Sequence, residues 1–85
     1  MDISVLNLSM VNAYLLKGES GFLLVDTGHA NQRANLERQL VSAGCRPGNL
    51  NLVIATHGDA DQVGNCAWLR QAYGAKREKL SSHFR

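Results

Sequence analysis

The residues best suited to chemistry lie in one short stretch, Thr56-His57-Gly58-Asp59-Ala60-Asp61-Gln62-Val63-Gly64-Asn65. Positions 57–62 offer an imidazole, two carboxylates and an amide. His57 and Asp59 are two apart, so in an extended segment their side chains project the same way. Imidazole nitrogen with carboxylate oxygen is a natural partial ligand set for zinc, iron or manganese. Asp61 adds a second carboxylate, and its repulsion with Asp59 is relieved most directly by a divalent cation. Gly58 permits a tight backbone, and Gly64 lets a following helix begin close against the loop. Spacing alone leaves a plainer alternative open, in which Asp59 and Asp61 cap a helix starting near Val63 and His57 is half-exposed.

What must position this stretch is the segment before it. Leu52-Val53-Ile54-Ala55 is a continuous apolar strand, and α/β proteins place ligands at the carboxyl ends of such strands. Upstream, Ile3–Leu8 and Val11–Leu16 read as strands, and Lys17-Gly18-Glu19-Ser20-Gly21 supplies a hairpin turn. Phe22–Val25 runs apolar on both faces, as a buried strand does, and Asp26-Thr27-Gly28-His29 ends it. From Asn31 to Ala43 the period changes. Leu36, Leu40 and Ala43, with Val41 beside them, form an apolar stripe, while Arg33, Glu37 and Arg38 take the other side. Gly44 suits the left-handed position after that helix. Thr56–Gln62 reads as a polar loop and Val63–Tyr73 as a helix closed by Gly74. The expected order is β-β-β-α-β-loop-α. Two apolar strands joined through a helix imply a crossover unit, whose sheet is usually covered on both faces. The helices can cover one of them.

The chain has 85 residues, 45% hydrophobic and 19% charged, which is ordinary globular composition. At this size a core is marginal, because only about 60–65% of the unfolded chain's surface is removed from water. No run approaches the roughly 18 apolar residues of a membrane span, and Met1-Asp2-Ile3 lacks a basic signal-peptide start. The expectation is a cytoplasmic protein without membrane association. The formal net charge of +2 is unevenly placed. Residues 1–75 sum to −1 and residues 76–85 to +3, the latter from Lys76, Arg77, Lys79 and Arg85 against Glu78. Basic residues interleaved with aromatics along a face are lacking, which argues against nucleic acid as a partner. Cys45 and Cys66 are far apart and outside any CxxC motif, so reduced thiols are expected, with Cys66 packed in a helix.

Asn12-Ala13-Tyr14-Leu15-Leu16, then Phe22–Val25 with Asp26-Thr27-Gly28, then Ile54–Asp61, resemble the N-terminal half of a metallo-β-lactamase-fold hydrolase. Order and spacing match that superfamily over nearly all of residues 3–76. The resemblance implies half of an αββα sandwich. It also implies one or two metal ions whose bound water attacks an ester, amide, thioester or phosphodiester. In the THxHxDH motif of that superfamily, Thr56 and His57 match the opening, making His57 a metal ligand. Asp59 stands at the second His, where a carboxylate can ligate. Asp61 matches the motif's Asp, which ligates the second metal or orients the nucleophilic water. Gln62 stands where the last His belongs, and its neutral amide oxygen is a poor replacement for imidazole. Asp26 would support the site from behind the ligands.

The later ligands of the superfamily, a His, a bridging Asp and a final His, belong to its second half. The expectation is therefore a truncated domain over residues 1–76, inactive by itself, followed by a basic tail over 77–85 that lacks the family pattern. In that tail His83 reads as solvated. Two other readings compete. The hydrophobic run ending in Asp26-Thr27-Gly28 has the form of a retropepsin-like aspartic protease, in which two copies of Asp26 would share a proton. That family is nearly all β, however, and two helices are expected here. Alternatively the chain is a non-catalytic module that binds metal or self-associates, as a homodimer through the exposed sheet face.

Overall fold

The computed structural model describes residues 2–55 and 60–79, with side chains over 2–55 and 65–76. Three strands open the chain: β1 (Asp2–Leu8), β2 (Val11–Gly18) and β3 (Gly21–Val25). They form an antiparallel meander in which Gly18 pairs with Gly21 across the two-residue turn Glu19-Ser20. A 3-10 turn (Ala30–Gln32) leads into α1 (Arg33–Ser42), and β4 (Leu50–Ala55) returns parallel to β3. The helix α2 (Ala60–Tyr73) then carries the chain to β5 (Lys76–Lys79), parallel to β4. The sheet order is β1-β2-β3-β4-β5.

This corrects the expected order in two places. The helix begins at Ala60 rather than Val63, so Asp61 and Gln62 belong to its first turn instead of a loop. A fifth strand, absent from that order, occupies Lys76–Lys79. Its composition, Lys-Arg-Glu-Lys, carries no strand signal. It lies at the sheet's edge, however, and charged side chains are what discourage an edge from pairing with another chain. Its backbone completes a second parallel crossover next to β4.

The helical face of the sheet is built by alternation. Leu6 and Leu8 on β1, Ala13 and Leu15 on β2, and Phe22 and Leu24 on β3 are all buried, as are Val53 and Ala55 on β4. Leu36 and Leu40 of α1 and Leu69 of α2 meet them and are fully buried. α1 is fastened to the end of β1 by Gln39 Nε2 and Asn35 Nδ2, which donate to the Asn7 carbonyl at 2.8 and 3.2 Å. Its C-terminus follows the expectation. Gly44 takes φ +91°, its N–H donates to the Val41 carbonyl at 3.0 Å, and that of Cys45 donates to Leu40 at 2.9 Å. These two bonds satisfy carbonyls that the helix end would otherwise leave bare. Val41 departs from its expected place on the apolar stripe and is 62% exposed. Arg33 departs the other way, half-buried with its guanidinium 5.4 Å from the Trp68 ring centre. Both cysteines are buried and neither forms a disulfide, and burial pushes the Cys45 thiol up to about 11. Burial also raises the Tyr73 phenol, helped by the Glu37 carboxylate and by Cys45.

The opposite face of the sheet is apolar too, and the helices do not reach it. Register places Ile3, Leu16, Leu23 and Leu52 in one row across four strands, and Val5, Tyr14, Val25 and Ile54 in the next. Ile3 is 64% exposed, Val5 58% and Tyr14 40%. Leu16, Leu23, Val25, Leu52 and Ile54 are half-buried. A cavity of about 300 Å³ opens on this face where Leu16, Phe22, Leu23 and Leu52 meet the turn of the β2–β3 hairpin.

Removing a fully buried leucine from one side of α1 should matter far more than trimming its exposed neighbour. Leu40→Ala is expected to cost about 2–5 kcal/mol of unfolding free energy, the usual range for a leucine cavity. Val41→Ala should stay within about 0.5 kcal/mol. Urea denaturation of both variants checks the pair, and similar losses would contradict the placement of α1.

Candidate functional site

The parallel register brings the carboxyl ends of β3, β4 and β5 to one edge of the sheet, where Val25 pairs with Ile54 and Ala55 with Lys79. This edge is where a parallel α/β arrangement presents ligand-binding loops. The Asp26 N–H donates to the Ile54 carbonyl at 2.8 Å, so the turn after β3 starts alongside the last residues of β4. From Ala55 the chain passes through residues 56–59 into α2 at Ala60. The sequence-derived ligands His57 and Asp59 lie outside the described residues. Asp61 is the second residue of α2. Among the described residues no three His, Cys, Asp or Glu side chains converge as a metal-binding group.

What the structure does show at this edge is an unusual turn. Asp26 has φ +68° and Gly28 φ +73°. The left-handed conformation is ordinary for glycine, whereas for Asp it is uncommon and costs of order 1 kcal/mol. Gly28 has a second requirement besides its dihedral. A Cβ there would lie 2.8 Å from Leu8 Cδ1, and Leu8 is fully buried. Two left-handed residues on either side of Thr27 turn successive carbonyls toward one point.

That point is Asn65. Its Nδ2 donates to the carbonyls of Thr27 at 3.1 Å, Gly28 at 3.1 Å and His29 at 3.2 Å. The amide has only two hydrogens, so at least one is shared between acceptors. Its Oδ1 accepts from Arg33 Nε at 3.0 Å, which fixes which end of the amide faces the loop, since a guanidinium can only donate. Arg33 is itself held over the Trp68 ring, on the same helix as Asn65 and one turn further along. Asn65 is fully buried, and a carbonyl left bare in such a place costs about 1–3 kcal/mol. The network therefore joins the β3–α1 loop, α1 and α2 through one side chain. Thr27 is fully buried as well, and among the described residues its hydroxyl oxygen has no hydrogen-bond partner. Such groups are rare in folded proteins.

Sequence reasoning placed Asp26 behind the ligands, and the structure places it in the turn beside the end of β4. It gave Asn65, the last residue of the chemistry-bearing stretch, no role. The available signal was Asn65 standing four residues before Leu69 and eight before Tyr73, on the apolar stripe of α2, where a buried amide needs partners. The aspartic-protease reading of Asp26-Thr27-Gly28 loses its footing, because the turn feeds a helix within a mixed sheet rather than an all-β fold.

Comparison with known proteins gives consistent results. The chain is 42% identical over 52 residues to metallo-beta-lactamase domain-containing protein 1 of Rattus norvegicus, a match covering 61% of this chain and 21% of that protein. The Homo sapiens protein of the same name is 42% identical over 53 residues, covering 62% and 20%. The chain thus spans about a fifth of the length of these relatives. Among solved structures, a Cronobacter sakazakii metallo-β-lactamase described by its HARLDQ motif superposes with a TM-score of 0.78 at 22% identity, covering 95% of this chain and 30% of that one. BJP-1, a subclass B3 metallo-β-lactamase of Bradyrhizobium japonicum, gives 0.69 at 22% identity, covering 79% and 25%. These structures share the fold of this chain over the parts that superpose. The family model of the metallo-beta-lactamase superfamily matches residues 6–84, running from β1 through the loop, both helices and β5, and the chain belongs to that superfamily.

Proposed function

We propose that this chain forms the metal-gathering N-terminal portion of a metal-dependent hydrolase, with His57 and Asp59 as ligands and Asp61 as ligand or orienting carboxylate. The observation that carries the reading is the place of His57-Gly58-Asp59-Ala60-Asp61-Gln62 in the chain. It links β4 to α2 at the edge where the parallel strands end. The HARLDQ motif of the Cronobacter protein, set over these six residues, has the same His at the start and the same Asp-Gln at the end. Gln62 therefore has a counterpart within the fold, and the chain's departure from the superfamily's usual His is shared.

The donor set fits such an ion. One imidazole and two carboxylates suit zinc, and suit iron or manganese equally. A bound ion of this kind lowers the pKa of its water toward neutrality and polarises the bond to be cleaved. The chain's own residues do the rest. Asp61, at the start of α2, would accept a hydrogen bond from the attacking water and aim it. Asp26, left-handed and anchored to Ile54, would hold the ligand segment from the β3 side. The substrate would be a small molecule with an ester, amide, thioester or phosphodiester bond. Two or three ligands from one loop leave a catalytic site short of its usual complement, so residues 1–85 alone are proposed to bind metal without turning over substrate. A cytoplasmic setting belongs to the same proposal and suits two buried cysteines that form no disulfide.

Zinc titration by calorimetry on the wild-type chain should give a stoichiometry near one. His57→Ala and Asp59→Ala should each abolish binding, because losing a ligand exceeds the 10–100-fold effect of an outer-shell change. Wild-type affinity in both variants would sink the assignment.

A second reading rests on the uncovered apolar rows. As an isolated chain, the protein is proposed to pair through this face with a second copy, which hides Ile3 and Val5 from water. Light scattering should report a concentration-dependent dimer, and Val5→Lys should shift it to monomer by setting a charge on that face. A monodisperse wild-type monomer at high concentration would rule the pairing out.

A further inference from the structure

Asn65 lies outside the ligand motif, yet it ties the turn after β3 to α2 at the candidate edge. We propose that Asn65 is the positioning residue of the site: its carboxamide locks the Asp26–His29 turn onto α2, the helix whose second residue is Asp61, and so fixes Asp26 and His29 against that helix. The inference rests on the metal-binding reading above and deepens it by naming the residue that fixes the geometry.

Three observations support it. First, the Nδ2 group meets the carbonyls of Thr27, Gly28 and His29 within 3.1–3.2 Å, so it reads the whole turn rather than one residue. A turn with φ +68° at Asp26 is intrinsically strained, and something outside it must hold the conformation. Second, the amide cannot rotate to another arrangement, because Arg33 Nε binds its oxygen at 3.0 Å and the Arg33 guanidinium lies over Trp68. Third, Asn65 is on α2 five residues after Ala60, the helix's first residue. A helix is a rigid lever over that distance, so the turn after β3 and the start of α2 share one reference point. Outer groups that orient metal ligands are known to change metal affinity by about 10–100-fold.

The test uses the 85-residue chain with Asn65→Asp, which keeps shape and the acceptor for Arg33 but replaces the donor with an oxygen. Two quantities are read near pH 7.5 and well below the melting temperature: amide exchange by NMR, and zinc affinity by competition with a chelator. The expected result is exchange at least about tenfold faster at Gly28 and His29, with Leu24 and Val53 unchanged. Zinc binding should weaken by roughly 10–100-fold. A purely structural role would lower the melting temperature without moving the affinity of the folded chain. Wild-type exchange in the turn, or a loosened turn with zinc affinity within about twofold of wild type, overturns the proposal. A wild-type chain that holds no zinc overturns the metal reading and Asn65's part in it, while exchange still decides whether the lock exists. Should Asn65→Asp lose the wild-type circular dichroism, Arg33→Met replaces it. That variant keeps the Asn65 donor but removes the guanidinium that holds its oxygen, which frees the amide to turn, and the same two readouts should move in the same direction.

Discussion

Three successive carbonyls cannot face a helix in a dry interior unless a donor stands between them, and in this protein the donor is one asparagine. The Thr27, Gly28 and His29 oxygens converge on Asn65 because Asp26 and Gly28 both adopt left-handed backbone, and each needs the other. Without the amide the turn would expose its carbonyls to an apolar surround. Without the turn the amide would be a buried polar group with nothing to bind. Arg33 closes the arrangement by taking the remaining oxygen, and its stacking on Trp68 adds the packing that keeps the guanidinium in place.

This constraint explains how a small core can carry a defined edge. The leucines of the helical face, Leu8, Leu15, Leu24, Leu36, Leu40 and Leu69, hold the helices on the sheet but do not specify angles at the strand ends. Apolar burial is non-directional. Direction comes from the hydrogen bonds at either end of α1, to Asn7 from Gln39 and Asn35, and to Asn65 from Arg33. The polar contacts thereby set the register of the loops while the leucines supply the adhesion. Leu8 takes part in both, packing so closely on Gly28 that the turn has no room for a side chain.

The two faces of the sheet differ in what they ask of the rest of the molecule. On the helical face, apolar alternation and helix stripes meet and burial is complete. On the other, two rows of apolar side chains remain in contact with water, from Ile3 to Leu52 and from Val5 to Ile54. Exposed apolar surface of this extent is uncommon on monomeric soluble proteins.

Local rules in the sequence determined much of this. The period change at Asn31, the glycines after both helices and the apolar run of β4 gave the helices, the crossover and the strand whose end carries the His57–Gln62 motif. The resemblance carried by Asp26-Thr27-Gly28 and Thr56–Asp61 gave the superfamily. Other features were decided only by tertiary structure. Lys76–Lys79 becomes a strand because β4 offers a free parallel edge, a cause that no propensity within those four residues expresses. α2 starts three residues early, taking Asp61 and Gln62 into its first turn. Val41 turns outward and Arg33 inward because α1 is oriented by Asn7 and Asn65, not by its own stripe alone. Asn65 is the clearest case. Its type and position said only that a polar group lay on an apolar face. Its three acceptors come from residues more than thirty positions earlier, brought to it by the crossover through α1.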